Sequence, residues 1–257
     1  MDHNRKVLIF ENNYPLANYL IRKWKELAEE SVESSGRFTV ALSGGKTPLE
    51  FYSRLASLED FDLWKRTHIF LADERFVPFH DPDSNFRSIK THLLDYIRIP
   101  SENIHPIPTD GENVSWAAEE YKQTLLHFFK LRDNSPPRFD FILLGLGEDG
   151  HTASLFPGEK DLDHPLRLTI PASNSHLKHD RVSISLSVIN HARHVYFLVL
   201  GNQKASILKE ILLDQKDVPA AKVNPTEGTL KFLLDKNAAQ YLPYKDSYTH
   251  CGEAIVI

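Results

Sequence analysis

The sequence predicts an α/β domain with a mostly parallel β-sheet and helices on both sides. Three observations lead there. Short apolar runs alternate along the chain with stretches of helical period, the β-α-β-α order of a sheet covered by helices. Two of the runs, over 139–144 and 195–200, are almost continuously apolar, as parallel strands buried on both faces are. Hydrophobic residues make up 41% and charged residues 25% of the 257 positions, ordinary globular usage that excludes disorder and coiled coil for the chain as a whole. With no internal repeat and no long linker, residues 1–257 read as one domain.

The elements follow in order. Val7, Leu8, Ile9 and Phe10 make the first strand. Leu16, Leu20, Trp24 and Leu27 then recur at helical spacing within 16–32. A β-branched and apolar strand covers 38–42, a helix 49–58, and a further strand 68–72. Helices are expected over 86–97 and 116–131, and strands over 139–144 and 195–200. Residues 182–187 alternate apolar and polar, the pattern of a strand with one wet face.

Charge narrows the function. Lys and Arg number 30 against 35 Asp and Glu, a net charge of -5, so no basic field is available for nucleic acid or for a membrane surface. Cys251 is the single cysteine, which excludes an intrachain disulfide and points to a reducing compartment. No apolar run approaches the roughly 20 residues of a membrane span. No long apolar core follows the first six residues, as it would in a signal peptide. A cytoplasmic enzyme or small-molecule binder is expected.

Four segments at strand ends carry candidate chemistry. Ser43-Gly44-Gly45-Lys46-Thr47-Pro48-Leu49-Glu50 joins a strand to a helix. Its glycines allow close backbone approach, Thr47 with Glu50 has the form of a capping box, and a helix start of this kind suits an anion. The resemblance to a nucleotide-binding loop is superficial, because Val40 stands where that pattern needs glycine. Asp73-Glu74-Arg75 follows the next strand. Arg75 suits a phosphate, and Asp73 or Glu74 suits a hydroxyl, a water or a histidine, with Ser84-Asn85 placed to cap the following helix.

The third segment is Gly145-Leu146-Gly147-Glu148-Asp149-Gly150-His151. Its three glycines match a dinucleotide fingerprint by letter, but Pro157 cuts short the helix that fingerprint requires. What remains is a tight turn that presents Asp149 and His151, the latter suited to moving protons near neutral pH. Lys204, just past the strand 195–200, is the fourth, and Arg181 opens the alternating strand. His176 with His179, and His191 with His194, have helical ligand spacing but no third ligand pattern, so no metal is expected. Together the segments describe an anionic small ligand held by Arg, Lys and backbone N–H groups beside a proton-moving histidine.

These segments, in this order, resemble the 6-phosphogluconolactonases of the cytoplasmic pentose-phosphate type. The matching text is Ser43 to Pro48, Asp73-Glu74-Arg75-Phe76-Val77, Ser84-Asn85, Asp149-Gly150-His151-Thr152-Ala153-Ser154-Leu155-Phe156-Pro157, Arg181-Val182-Ser183 and Gly201 with Lys204-Ala205. The resemblance implies a Rossmann-like three-layer α/β/α sandwich, shared with glucosamine-6-phosphate deaminases. It implies hydrolysis of 6-phospho-D-glucono-1,5-lactone to 6-phospho-D-gluconate in the oxidative pentose phosphate pathway, without cofactor or metal. His151 is then the general base on water, with Asp149 or Asp73 orienting it. Ser43, Gly44, Gly45, Lys46, Arg75, Asn85, Arg181 and Lys204 form the substrate-binding set. A monomer or small homo-oligomer with a phosphosugar lactone as its only partner is expected. The alternatives are an amino-sugar-phosphate deaminase or isomerase, and a sugar-phosphate binder without turnover. Phe156 stands where the deaminase pattern has an acidic residue before proline, which favours the lactonase.

Overall fold

A computed structural model describes residues 5–59, 61–132, 135–159, 162, 164–173, 177–243 and 254–256, the last three by backbone alone. His176 and Cys251 lie outside the described residues. The strands are β1 (Arg5–Phe10), β2 (Phe38–Leu42), β3 (Thr67–Leu71), β4 (Asp73–Arg75), β5 (Ile104–His105), β6 (Phe141–Leu144), β7 (Thr169–Ala172), β8 (Arg181–Ile184), β9 (His194–Val199), β10 (Thr229–Asp235) and β11 (Ala254–Val256). The helices are α1 (Asn13–Ser35), α2 (Leu49–Ala56), α3 (Asn85–His92), α4 (Val114–Phe129), α5 (Leu186–His191) and α6 (Ala205–Leu212).

Eight strands form the main sheet in the order β11-β1-β10-β9-β6-β2-β3-β5, parallel throughout except for β11, which runs antiparallel to β1. Helices cover both faces, giving the Rossmann-like three-layer α/β/α arrangement expected. On one face Trp24 of α1 meets Phe38 of β2 and Phe141 of β6 edge-on, at 5.2 and 6.1 Å between ring centres. On the other, Phe128 of α4 meets Phe70 of β3 at 5.0 Å, and the Tyr121 hydroxyl donates to the Leu71 carbonyl. The strand order runs outward from β2 through β3 to β5, then returns beside β2 at β6 and continues the opposite way. The switch point therefore lies between β2 and β6, and open sheets of this kind bind ligands outside the carboxyl ends of the strands at that point.

Helix ends follow local chemistry. The Asn12 side chain accepts from Tyr14 N to open α1, and Gly36, at φ 76°, closes it. Ser84 caps α3 through Arg87 N. Other expectations change. Residues 86–97 do not form one helix, because α3 stops at His92 and a 3₁₀ turn follows over Leu94–Tyr96. The capping box at Thr47 does not form: Pro48 occupies the N-cap of α2 with no side-chain bond, and Glu50 pairs instead with Arg54 one turn on.

The segment 182–187 has no wet face. Val182, Ser183 and Ile184 are all fully buried, and Ser185 leaves the strand to cap α5. β8 belongs to a second, antiparallel sheet of order β4-β8-β7, packed beside α4. The chain crosses between sheets at Ala72, whose N–H donates to Leu42 of β2 while its carbonyl accepts from Ile184 of β8. Among the described residues, no helix is long and apolar enough to cross a membrane.

Candidate active site

The carboxyl ends of β2 and β6 and the neighbouring β4–β8 ribbon enclose one cleft with a volume of about 190 Å³. It brings together Ser43, Gly44 and Gly45 from the loop after β2, Asp73 and Arg75 from β4, and Asn85 from the start of α3. Gly147 and His151 enter from the loop after β6, Arg181 from β8 and Lys204 from the turn before α6. Two of the expected residues stand apart. Asp149 is not a wall of the cleft but holds His151 from behind, and Lys46 is exposed, outside the lining. The lining also takes in Pro48, Leu144 and Ala153, which sequence reasoning did not single out.

His151 and Asp149 form a pair. His151 Nδ1 lies 2.6 Å from Asp149 Oδ1, and the same oxygen accepts the His151 backbone N–H at 3.0 Å. Burial works to raise the Asp149 carboxyl, but the His151 N–H, charge and ring bond outweigh it and hold the group below its ordinary value. An ionised Asp149 favours Nδ1 as the donor, the tautomer that in a neutral ring puts the free lone pair on Nε2. Phe156 lies 4.8 Å from the imidazole, ring to ring. Gly147 makes room for this arrangement, since a Cβ there would fall 2.1 Å from His151 Nδ1.

The other carboxylate does different work. Asp73 Oδ2 accepts from Ser154 Oγ at 2.7 Å and Oδ1 from Asn85 Nδ2 at 3.2 Å. Of the two carboxylates, the one that holds the His151 ring is therefore Asp149. The Asn85 amide also donates to the Asp73 carbonyl at 3.0 Å, which turns Asn85 Oδ1 away from those contacts. Gly44 lets that oxygen approach the main chain, because a Cβ on Gly44 would meet it at 2.2 Å. The Tyr52 hydroxyl donates to the Ser43 carbonyl at 2.5 Å; burial first, and then the Asp73 charge, push its phenol upward, so it stays a donor.

The cleft's charge is positive and its polar atoms are unspent. Arg75 and Arg181 sit opposite each other in the β4–β8 register. Arg75 donates through one terminal nitrogen to the Asp83 carbonyl, and Arg181 lies over the Phe156 ring at 5.6 Å. Lys204 lies 3.8 Å from Glu148. Among the described residues, Ser43 Oγ, Asn85 Oδ1 and the Nε atoms of both arginines are buried without a hydrogen-bond partner. Buried polar atoms that face a cleft unpaired suit a polar ligand that pairs them.

Glu74, between Asp73 and Arg75, is fully buried. Burial pushes its carboxyl up to about 7 against the opposing N–H bonds of Phe86, Asn85 and Arg75. His179 bonds Asp83 and His194 bonds Thr229 Oγ1, and among the described residues no group of three or more His, Cys, Asp or Glu is arranged to hold a metal ion.

The sequence matches the family described as glucosamine-6-phosphate isomerases/6-phosphogluconolactonase over residues 11–232. It is 39% identical over 216 residues to the 6-phosphogluconolactonase of Synechocystis sp., across 83% of this chain and 88% of that protein. It is 33% identical over 228 residues to the 6-phosphogluconolactonase of Thermotoga maritima, across 88% of this chain and 97% of that protein. A solved structure of 6-phosphogluconolactonase from Trypanosoma cruzi superposes with a TM-score of 0.84 at 28% identity, covering 95% of this chain and 99% of that one.

Proposed function

The chain belongs to the glucosamine-6-phosphate isomerase/6-phosphogluconolactonase family, and we propose that it hydrolyses 6-phospho-D-glucono-1,5-lactone to 6-phospho-D-gluconate with His151 as general base. The observation that carries this reading is the pairing of an Asp149-held imidazole with two arginines, their Nε atoms unpaired, in one cleft. A lactone is an activated ester, so water attacks it directly. His151 Nε2 takes the water proton as the new C–O bond forms at the lactone carbon, a contribution of about 10²–10⁴-fold. The tetrahedral intermediate then expels the ring oxygen, which receives that proton from the imidazolium, and the ring opens to a carboxylic acid that releases its remaining proton to solvent as the carboxylate.

Arg75 and Arg181 hold the 6-phosphate, with Lys204 adding positive charge, so binding energy from the remote phosphate orients the ring. Backbone N–H groups at Gly44 and Gly45 stabilise the charge growing on the lactone oxygen. Ser43 Oγ and Asn85 Oδ1 meet the sugar hydroxyls, and Asp73 acts by fixing the Asn85 amide. Lys46, exposed, has no part in this scheme. A reducing, cytoplasmic location suits a chain with one cysteine.

The test is an assay in which glucose-6-phosphate dehydrogenase supplies fresh lactone. Acid release well above the spontaneous rate is expected. Ammonia release from glucosamine 6-phosphate, with no such acceleration, would replace this reading with the deaminase.

A further inference from the structure

We propose that Glu74, which has no part in the hydrolytic step, is the positioning residue that sets Arg75 and the start of α3 against the cleft and thereby governs affinity for the phosphorylated end of the ligand. The inference rests on the hydrolytic reading for its substrate, but its geometry is independent of it. Alternation along β4 places Glu74 on the opposite side of the strand from Asp73 and Arg75, both of which line the cleft. There its carboxylate gathers four donors. Oε1 accepts the N–H groups of Arg75 and Asn85, each at 2.7 Å, and Oε2 accepts Phe86 N–H at 2.7 Å and Ser84 Oγ at 3.1 Å.

Among the described residues Glu74 forms no ion pair, so the buried carboxyl is balanced by three main-chain N–H groups and one hydroxyl. Ser84 caps α3 through Arg87 N, and Glu74 takes up the two N–H groups before it, those of Asn85 and Phe86, so the strand supplies a second cap to the helix. What Glu74 adds is a tie between a strand and a helix that each carry a binding side chain: Arg75 on β4 and Asn85 on α3. Gly44 packs against Asn85 at a distance no other residue tolerates, so a shift of α3 propagates directly into the cleft. One carboxylate therefore fixes the relative placement of the phosphate-facing and hydroxyl-facing groups.

Glu74→Gln keeps the shape and turns one pair of acceptor contacts into a donor facing Phe86 N–H and the Ser84 hydroxyl. The expected result is a rise of about tenfold or more in KM for the phosphorylated lactone, the scale of one charged hydrogen bond, with kcat within about threefold. Unphosphorylated glucono-1,5-lactone, which meets Asn85 but not Arg75, should lose less in kcat/KM than the phosphorylated lactone does. Calorimetry with inorganic phosphate should show the same weakening without any turnover. If Glu74→Gln fails to fold, Glu74→Asp, which draws the carboxylate back by one methylene from its donors, should raise the same KM and phosphate Kd by a smaller factor. Equal losses on both lactones, or an unchanged phosphate Kd, would overturn the proposal. A wild-type chain without lactone hydrolysis whose phosphate affinity still falls in Glu74→Gln overturns the hydrolytic reading and leaves the positioning role standing.

Discussion

Arg75 and Arg181 oppose each other in the antiparallel register of β4 and β8, and both line the same cleft. Like charges directly across a strand pair repel. Burial, and then the nearby Arg75 charge, lower the Arg181 guanidinium from its ordinary value. A dianion between the two converts that repulsion into two charge-assisted bonds. Arg181→Met, which keeps much of the packing over Phe156, should raise KM for the phosphorylated lactone by about 10–100-fold. Inorganic phosphate should raise the Tm of the wild type and leave that of the variant nearly unmoved. Equal phosphate protection of both proteins would remove Arg181 from the phosphate site.

The dyad of Asp149 and His151 is separable by mutation. The His151 side chain is 31% exposed and contributes little to the core, so His151→Ala should fold normally. Its kcat should fall by about 10²–10⁴-fold. Asp149→Asn should cost less than that but at least about tenfold, because the ring loses the partner that fixes its tautomer. Steady-state rates with circular dichroism as the folding control decide the matter, and full activity in His151→Ala would end its assignment as base.

Gly147 is where a single methyl group tests the same dyad without touching its chemistry. A Cβ there falls 2.1 Å from His151 Nδ1 and 2.6 Å from Asp149 Oδ1. Its φ is not in the left-handed region, so Gly147→Ala carries no backbone strain of that kind. The variant should lose at least about tenfold in kcat with KM little changed, consistent with displacement of a positioned base. A fully active variant would show that the imidazole need not sit where it does.

Much of the site was legible in the sequence because turns advertise themselves. Gly44 and Gly147 mark places where the backbone must admit another side chain, and the charged residues nearby are few. The occupants of that space, Asn85 and His151, could only be paired with their glycines in three dimensions. Asp73-Glu74-Arg75 is expected just past a strand, yet it is itself β4; its hydrogen-bond partner β8 lies far along the chain and no local pattern announces that pairing. The same pairing buries Ser183 and brings it to Ser154 N, so an alternation that resembles a wet face marks a polar network inside the protein. Lys46 stands beside two glycines that line the cleft, but its own side chain is exposed. β10 hid its strand character behind Lys231, whose ammonium is taken up by the hydroxyls of Tyr19 and Tyr196.

Acid stability is set by groups that oppose each other in one pH window. Burial, followed by the His68 charge, lowers His105 to about 4 from 6.5, and burial with Lys231, Arg193 and Lys23 does the same to His194. The unfolded chain then binds more protons than the folded one between pH 6.5 and 4, so these histidines withdraw stability as the pH falls through that range. Glu74 acts in the other direction. Its folded value of about 7 exceeds the ordinary 4.5, so between pH 4.5 and 7 the folded state binds more protons and gains stability on acidification. Burial also lowers His68 and His191 and raises Glu159, so four histidines stand against two carboxyls and leave a net loss in acid. His105→Phe keeps the stack on Phe70, which lies 4.1 Å away at 16°, and should shift the acid-unfolding midpoint to lower pH. Glu74→Gln removes the opposing contribution and should steepen the wild-type loss of Tm between pH 6.5 and 4.5. Thermal melts across that range read both, and parallel Tm curves for all three proteins would show that neither group controls acid stability.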